Sequence, residues 1–71
     1  MIGQQELDNW FSYHKPEGDQ ASRYERLRAA GKALAEVIVA ETPASADQTV
    51  AIRKIREAIM AANSAIACGG K

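Results

Sequence analysis

The segment NWFSYHKPEGDQ, residues 9–20, gathers three aromatic rings, the only histidine, a lysine and a proline into a few positions. Aromatic rings provide flat faces on which nucleobases stack. Further along the chain, Arg28 and Lys32 stand one helical turn apart, where like charges repel slightly and a nearby anion would turn the repulsion into attraction. These residues indicate either a stacking platform beside an anion site, or a turn whose rings are interface core and whose charges form a solvated face.

His14 is the one imidazole in the chain and therefore raises the question of catalysis. Nucleophilic catalysis needs a nucleophile, a base and an orienting group on a rigid scaffold. Ser12 lies two positions away, but the sequence has no cysteine near His14, no glycine-rich phosphate loop and no set of metal ligands with the usual spacing. We expect no catalysis, no metal and no cofactor. The plain interpretation of His14 is a turn residue hydrogen-bonded to backbone; the enzyme alternative is a phosphodiesterase that uses it.

The length of 71 residues bounds the fold. A single core in so short a chain seldom supplies more than about 3–5 kcal/mol of stability, so we expect one domain, residues 1–71, supported by other subunits. The only cysteine, Cys68, cannot form an intramolecular disulfide, and we interpret it as an inert residue near a helix end.

The charges balance, because 9 Lys and Arg side chains oppose 9 Asp and Glu side chains. A protein that binds DNA or a membrane surface relies on a broad cationic field, so both partners are disfavoured and any anion site must be local. The N-terminal MIGQQELDNW lacks the features of a signal peptide, and no stretch approaches the ~20 apolar residues of a membrane span. We expect a soluble intracellular protein.

Apolar spacing predicts three helices joined by two connectors that each contain a proline. In the first helix, residues 3–11, the side chains of Leu7, Trp10 and Phe11 share one face. This helix is too short to be stable alone. It leads into an aromatic turn over residues 12–18, where the proline disfavours helix for the residue before it.

The second and third helices, residues 19–41 and 46–67, each carry an apolar stripe with steps of three and four residues. The stripe of the second helix contains Tyr24, Leu27, Gly31, Leu34 and Ile38. The stripe of the third helix contains Ile52, Ile55, Ile59, Ala62 and Ile66. Because Gly31 lowers helix propensity, we interpret it as a point where another backbone comes close.

Helix-end signals set the topology. Pro43 ends the second helix, and Ser45 and Gln48 have the spacing of a capping box at the start of the third. Gly69–Gly70 close the third helix with residues suited to the left-handed conformation. A connector this short predicts antiparallel neighbours.

The hairpin interface is thin, since its stripes consist of Leu, Ile and many Ala residues. A monomer would leave much apolar surface in water, and copies of the same chain in closed symmetry are the commonest remedy. We therefore expect an all-α fold, a short N-terminal helix plus an antiparallel two-helix hairpin, assembled as a compact homo-oligomer.

The other charged residues are expected on solvated helix faces. Opposite charges four residues apart predict the pairs Lys32–Glu36 and Arg53–Glu57, each worth about 0.2–0.5 kcal/mol. On the third helix we expect ordinary surface roles for Arg53, Lys54, Arg56 and Glu57.

The sequence also carries a family resemblance. The motif Phe11-Ser-Tyr13-His14-Lys15-Pro16 is followed by YExxR, the Ala-rich helix AAGKALAEVI, a proline and the helix AIRKIREAIMAANSAIA. Together, over about residues 9–67, these segments resemble a small phage protein family of anti-CBASS cyclic-nucleotide sponges. The resemblance implies a non-enzymatic hexamer of helical subunits that acts in the cytoplasm of the infected bacterial host.

The resemblance further implies that cyclic dinucleotides, such as cyclic GMP–AMP, are bound intact and withheld from the CBASS effector. For some members it implies a separate site for cyclic trinucleotides. Tyr13 and His14 would lie against the nucleobases, and Arg28 would contact the phosphates. The other implied site residues are Phe11 and Pro16 in the pocket wall, Lys15 at its rim, and Lys32.

Glu17-Gly18 stands where relatives often carry a Thr-Pro pair, which predicts a looser start to the second helix. The alternative to a sponge is a helical homo-oligomeric interaction module of a phage with no nucleotide ligand. In that alternative the interface core would contain Trp10, Phe11, Tyr13 and Tyr24.

Overall fold

The computed structural model describes the whole chain, residues 1–71, as three α-helices and no strand. The helices are α1 (Gln4–Trp10), α2 (Gln20–Glu41) and α3 (Ala46–Ala67). The predicted all-α class, a short first helix followed by an antiparallel hairpin, is confirmed. None of the three helices combines the length and the apolar character that crossing a bilayer requires.

The helices α2 and α3 pack through Gly31, the only buried residue of the chain. A Cβ atom on Gly31 would lie 2.8 Å from Cγ1 of Ile59 and 3.7 Å from Cγ2 of Ile55. The first of these distances is shorter than packed carbon atoms tolerate. The missing side chain therefore allows the close approach that the sequence predicted.

The apolar stripes meet along this interface. All five predicted positions of the α3 stripe are partly buried, whereas the prediction for α2 is wrong at one position. Leu34 is 52% exposed, and the partly buried Ala35 takes its place. Ala35 lies four residues after Gly31 and three before Ile38, so it shares a helix face with both.

Side-chain hydrogen bonds hold the connector between α2 and α3. The Ser45 hydroxyl oxygen accepts from the Gln48 backbone amide at 3.1 Å, which is the first half of the predicted capping box. In the second half of a capping box, the Gln48 side chain would accept from the Ser45 backbone amide, and this bond does not form. The Gln48 side chain turns towards α2 instead, where its Nε2 donates to the carbonyl and hydroxyl oxygens of Thr42, both at 3.1 Å. Gln48 therefore ties the start of α3 to the end of α2.

The short helix α1 is attached to the far end of the hairpin by hydrogen bonds. Asn9 Nδ2 donates to the carbonyl of Cys68 at 3.3 Å, and Trp10 Nε1 donates to the carbonyl of Lys71 at 3.0 Å. Gly69–Gly70, with φ of 65° and 77°, turn the chain after α3 in the predicted left-handed conformation. The turn that follows α1 therefore lies at the same end of the molecule as the C-terminus of α3.

The single chain has no apolar core. It exposes 5735 Å², against about 4,300 Å² for a compact protein of 7.7 kDa. Its radius of gyration is 15.2 Å, against about 11 Å for a compact domain of this length. Its extents of 44 × 31 × 15 Å describe a slab about one helix layer thick. The exposed large apolar side chains are Met1, Ile2, Leu7, Trp10, Phe11, Tyr13, Leu34, Val37, Val39, Val50 and Met60.

Candidate functional site

The aromatic turn, residues 12–18, and Phe11 just before it present two rings to solvent. Phe11 is 85% exposed and Tyr13 is 86% exposed, so neither ring contributes to packing within the chain. Phe11 follows α1 as its C-cap and does not extend the apolar face of that helix as predicted. Lys15 and Pro16, which complete the motif, are also exposed.

Both ends of this turn are fixed by hydrogen bonds. The Ser12 hydroxyl donates to the carbonyl of Asp8 in α1. At the other end, the backbone amide of Glu17 donates to Gln20 Oε1 at 2.9 Å, and the amide of Gln20 donates to the carbonyl of Glu17 at 3.0 Å. Gly18, at φ of 55°, makes the reversal between them. The turn therefore holds its rings outward on a supported backbone.

His14 points the other way and is partly buried. Its Nε2 lies 2.6 Å from the carbonyl oxygen of Asn9 and 3.9 Å from Sγ of Cys68. A carbonyl oxygen only accepts, so Nε2 carries a proton and donates it to this hydrogen bond. The plain interpretation, a turn histidine bonded to backbone, describes this contact.

A groove of about 500 Å³ runs between α2 and α3, and we call it the basic groove. Three cationic side chains line it: Arg28 and Lys32 from α2, and Arg56 from α3. The remaining lining residues are Gly31, Ala35, Ile52, Ile55, Ile59, Met60 and Asn63. The groove therefore combines an apolar surface with positive charge, which suits a ligand that has flat rings and phosphates.

The cations of the basic groove have no carboxylate partner. The two salt bridges of the chain lie elsewhere, Asp19 with Arg23 at 3.9 Å and Lys54 with Glu57 at 3.5 Å. The predicted pairs Lys32–Glu36 and Arg53–Glu57 are therefore wrong. On α3, Glu57 pairs with Lys54, three residues before it, and not with Arg53. The net charge of zero thus conceals a local positive site.

Two residues of the basic groove were missed by sequence reasoning. Arg56 was expected to have an ordinary surface role, although its position, four residues after Ile52 and three before Ile59, places it beside the apolar stripe. Asn63 has a buried Oδ1 atom with no hydrogen-bond partner, which costs about 1–3 kcal/mol. A polar residue four positions after Ile59 was the signal available for it.

The predicted site residues fall into separate places. Arg28 and Lys32 line the basic groove, while the exposed motif residues Phe11, Tyr13, Lys15 and Pro16 lie outside its lining. His14 lines a different groove of about 520 Å³, at the end of the molecule where α1 meets α3. One chain therefore does not enclose a ligand between its aromatic rings and its basic groove. No three His, Cys, Asp or Glu side chains lie together as metal ligands.

A model of a known protein family matches the chain. The model of the Acb2/Tad1 hairpin domain matches residues 3–67, a range that contains α1, the aromatic turn and both hairpin helices. No curated protein and no solved structure matches the chain significantly. Since the match covers nearly the whole chain, and since the fold is the expected hairpin, the chain belongs to the Acb2/Tad1 family of anti-CBASS cyclic-nucleotide sponges.

Proposed function

We propose that this protein binds cyclic dinucleotides such as cyclic GMP–AMP without cleaving them, in the cytoplasm of the infected host. Held ligand no longer reaches the CBASS effector, so the effector stays inactive. The observation that supports the proposal most strongly is the unpaired charge of Arg28, Lys32 and Arg56 along one groove of a neutral chain. Family membership provides the ligand class.

In this proposal the basic groove contacts the phosphates. A charge-assisted hydrogen bond contributes about 1.5–3 kcal/mol, and Arg28 and Arg56 approach the groove from different helices. Lys32 adds a third charge, and Lys15 lies at the rim. Asn63 also lines this groove, but its Oδ1 atom is buried and out of reach of a ligand in the single chain.

The rings of the aromatic turn stack on the bases. Stacking on an aromatic side chain contributes about 1–3 kcal/mol per base, and Tyr13 and Phe11 have the most exposed rings in the chain. Pro16 contributes to the wall behind them. Two stacked bases and two bound phosphates together contribute about 5–12 kcal/mol before the ordering costs of association are subtracted.

A second copy of the chain completes the site in this proposal. The chain exposes about 1,400 Å² more than a compact protein of its mass, which exceeds the roughly 800 Å² that each partner buries in one standard interface. This excess supports burial of the chain against other copies of itself, and the family resemblance implies a hexamer. A cyclic dinucleotide has an approximate two-fold axis, so two related copies offer each half the same groups.

The test is thermal unfolding of the purified chain with and without cyclic GMP–AMP. A ligand that binds only the folded state raises the melting temperature, by mass action. Chromatography of the ligand released after heating then separates a sponge, which returns it intact, from a phosphodiesterase, which returns it linearised. No rise at high ligand excess would contradict the proposal and favour the interaction module without a nucleotide ligand.

A further inference from the structure

We propose that His14 is a positioning residue, which holds the aromatic turn against α1 and α3 so that Tyr13 faces outward, and that its ring does not stack on a nucleobase. The proposal rests on the proposed function, because the role of the turn is to present Tyr13 to a base. It replaces the stacking role that the family resemblance implies for His14.

The hydrogen bond of His14 ends α1. The last four carbonyls of an α-helix have no partner within the helix, and Asn9 is the second-last residue of α1. His14 Nε2 donates to this carbonyl at 2.6 Å and satisfies it. A histidine that caps the C-terminal carbonyls also interacts favourably with the negative end of the helix dipole.

The same contact reaches α3 through Asn9. While the carbonyl of Asn9 accepts from His14, its side chain donates to the carbonyl of Cys68, the C-cap of α3, at 3.3 Å. Sγ of Cys68 in turn lies 3.9 Å from His14 Nε2. The aromatic turn, α1 and α3 therefore meet at a cluster of three residues, to which they contribute His14, Asn9 and Cys68 respectively.

The two neighbours in the motif have opposite environments. Tyr13 is 86% exposed, whereas His14 is partly buried and its Nε2 is occupied. Because His14 is partly buried against its own chain, it presents less surface to a base than the ring of Tyr13 does.

The experiment compares His14→Gln and His14→Phe in the full-length chain by titration calorimetry with cyclic GMP–AMP. Glutamine keeps a donor close to the place of Nε2 but has no ring, and phenylalanine keeps a flat ring but has no donor. Positioning predicts that the glutamine variant binds within about threefold of the original chain and that the phenylalanine variant loses about tenfold or more. The opposite ranking would overturn the proposal. If the phenylalanine variant does not fold, the glutamine variant decides alone, because a loss of about tenfold in the folded protein contradicts positioning.

Amide hydrogen exchange without ligand separates this proposal from the function it rests on. Exchange of the Phe11 amide, which donates to the carbonyl of Leu7 at the end of α1, is expected to be faster in His14→Phe than in His14→Gln, because only the phenylalanine variant loses the anchor. Equal exchange in the two variants would overturn the proposal, whatever the ligand does. If the original chain does not bind cyclic GMP–AMP but the two variants differ in exchange as expected, the proposed function is refuted and the anchoring role stands.

Discussion

Gly31 of α2 faces Ile59 of α3 so closely that a methyl group added to the glycine would lie 2.8 Å from Cγ1 of the isoleucine. The only buried residue of the chain therefore sets the distance between the two helices whose groove carries the cations. A change at this contact alters both the stability of the hairpin and the width of the basic groove.

Gly31→Ala is expected to destabilise the chain by about 1–2 kcal/mol. Overpacking costs about 1–3 kcal/mol, and the higher helix propensity of alanine offsets up to about 1 kcal/mol of it. Urea unfolding at fixed protein concentration measures the effect. The matched control is Ala29→Gly on the exposed face of α2, which reports propensity alone. In a double-mutant cycle, Ile59→Ala should remove most of the penalty, and additive effects would show that the steric contact is unimportant.

Tyr13→Ala is expected to weaken binding of cyclic GMP–AMP between about fivefold and 150-fold, the loss of one stacked base. Tyr13→Phe keeps the ring and should bind nearly as tightly as the original chain. Because the ring is 86% exposed in the single chain, the helix content should not change. Titration calorimetry, together with sedimentation of each variant, checks both statements. An unchanged affinity in the alanine variant would remove Tyr13 from the site.

Arg28→Ala and Arg56→Ala are each expected to weaken binding by about tenfold to 150-fold through lost phosphate contacts. The matched control is Arg53→Ala, since Arg53 is exposed on α3 and does not line the basic groove. Raising the salt concentration should weaken binding less in the two groove variants, because fewer charge contacts remain to be screened. Equal losses in Arg53→Ala and Arg56→Ala would mean that the overall charge, and not the groove, determines affinity.

Ser45→Ala is expected to destabilise the hairpin by about 1 kcal/mol. The substitution removes the acceptor of the Gln48 backbone amide at the first turn of α3. Ser22→Ala serves as the control, because Ser22 is exposed within α2 and makes no cap. Thermal melting of both variants at one protein concentration gives the comparison, and equal melting temperatures would contradict the role of the cap.

The fold was predictable because local signals agree along most of the chain. The stripe of α3, the serine cap and Gly69–Gly70 each depend on neighbours a few residues away. Leu34 was wrongly assigned to the stripe because residues three and four positions after Gly31 both lie near the same helix face. Only the rotation of α2 against α3 selects Ala35.

The site was less predictable because it depends on distant contacts. Surface ion pairs differ by only a few tenths of a kcal/mol, so nothing local decides between Arg53 and Lys54 as the partner of Glu57. Arg56 lines the basic groove only because of the way α3 is rotated against α2, which local sequence does not determine. His14 is bonded to the nearby backbone of Asn9, as the plain interpretation expects, but the contacts that tie this pair to α3 involve Cys68, at the other end of the chain, and no spacing in the motif reveals them.

Native mass spectrometry of the full-length chain with cyclic GMP–AMP tests the central claim most directly. The account predicts a homo-oligomer whose mass exceeds that of the free assembly by whole numbers of the unmodified ligand. A monomer, an assembly that stays empty at high ligand excess, or a released ligand heavier by one water would contradict it.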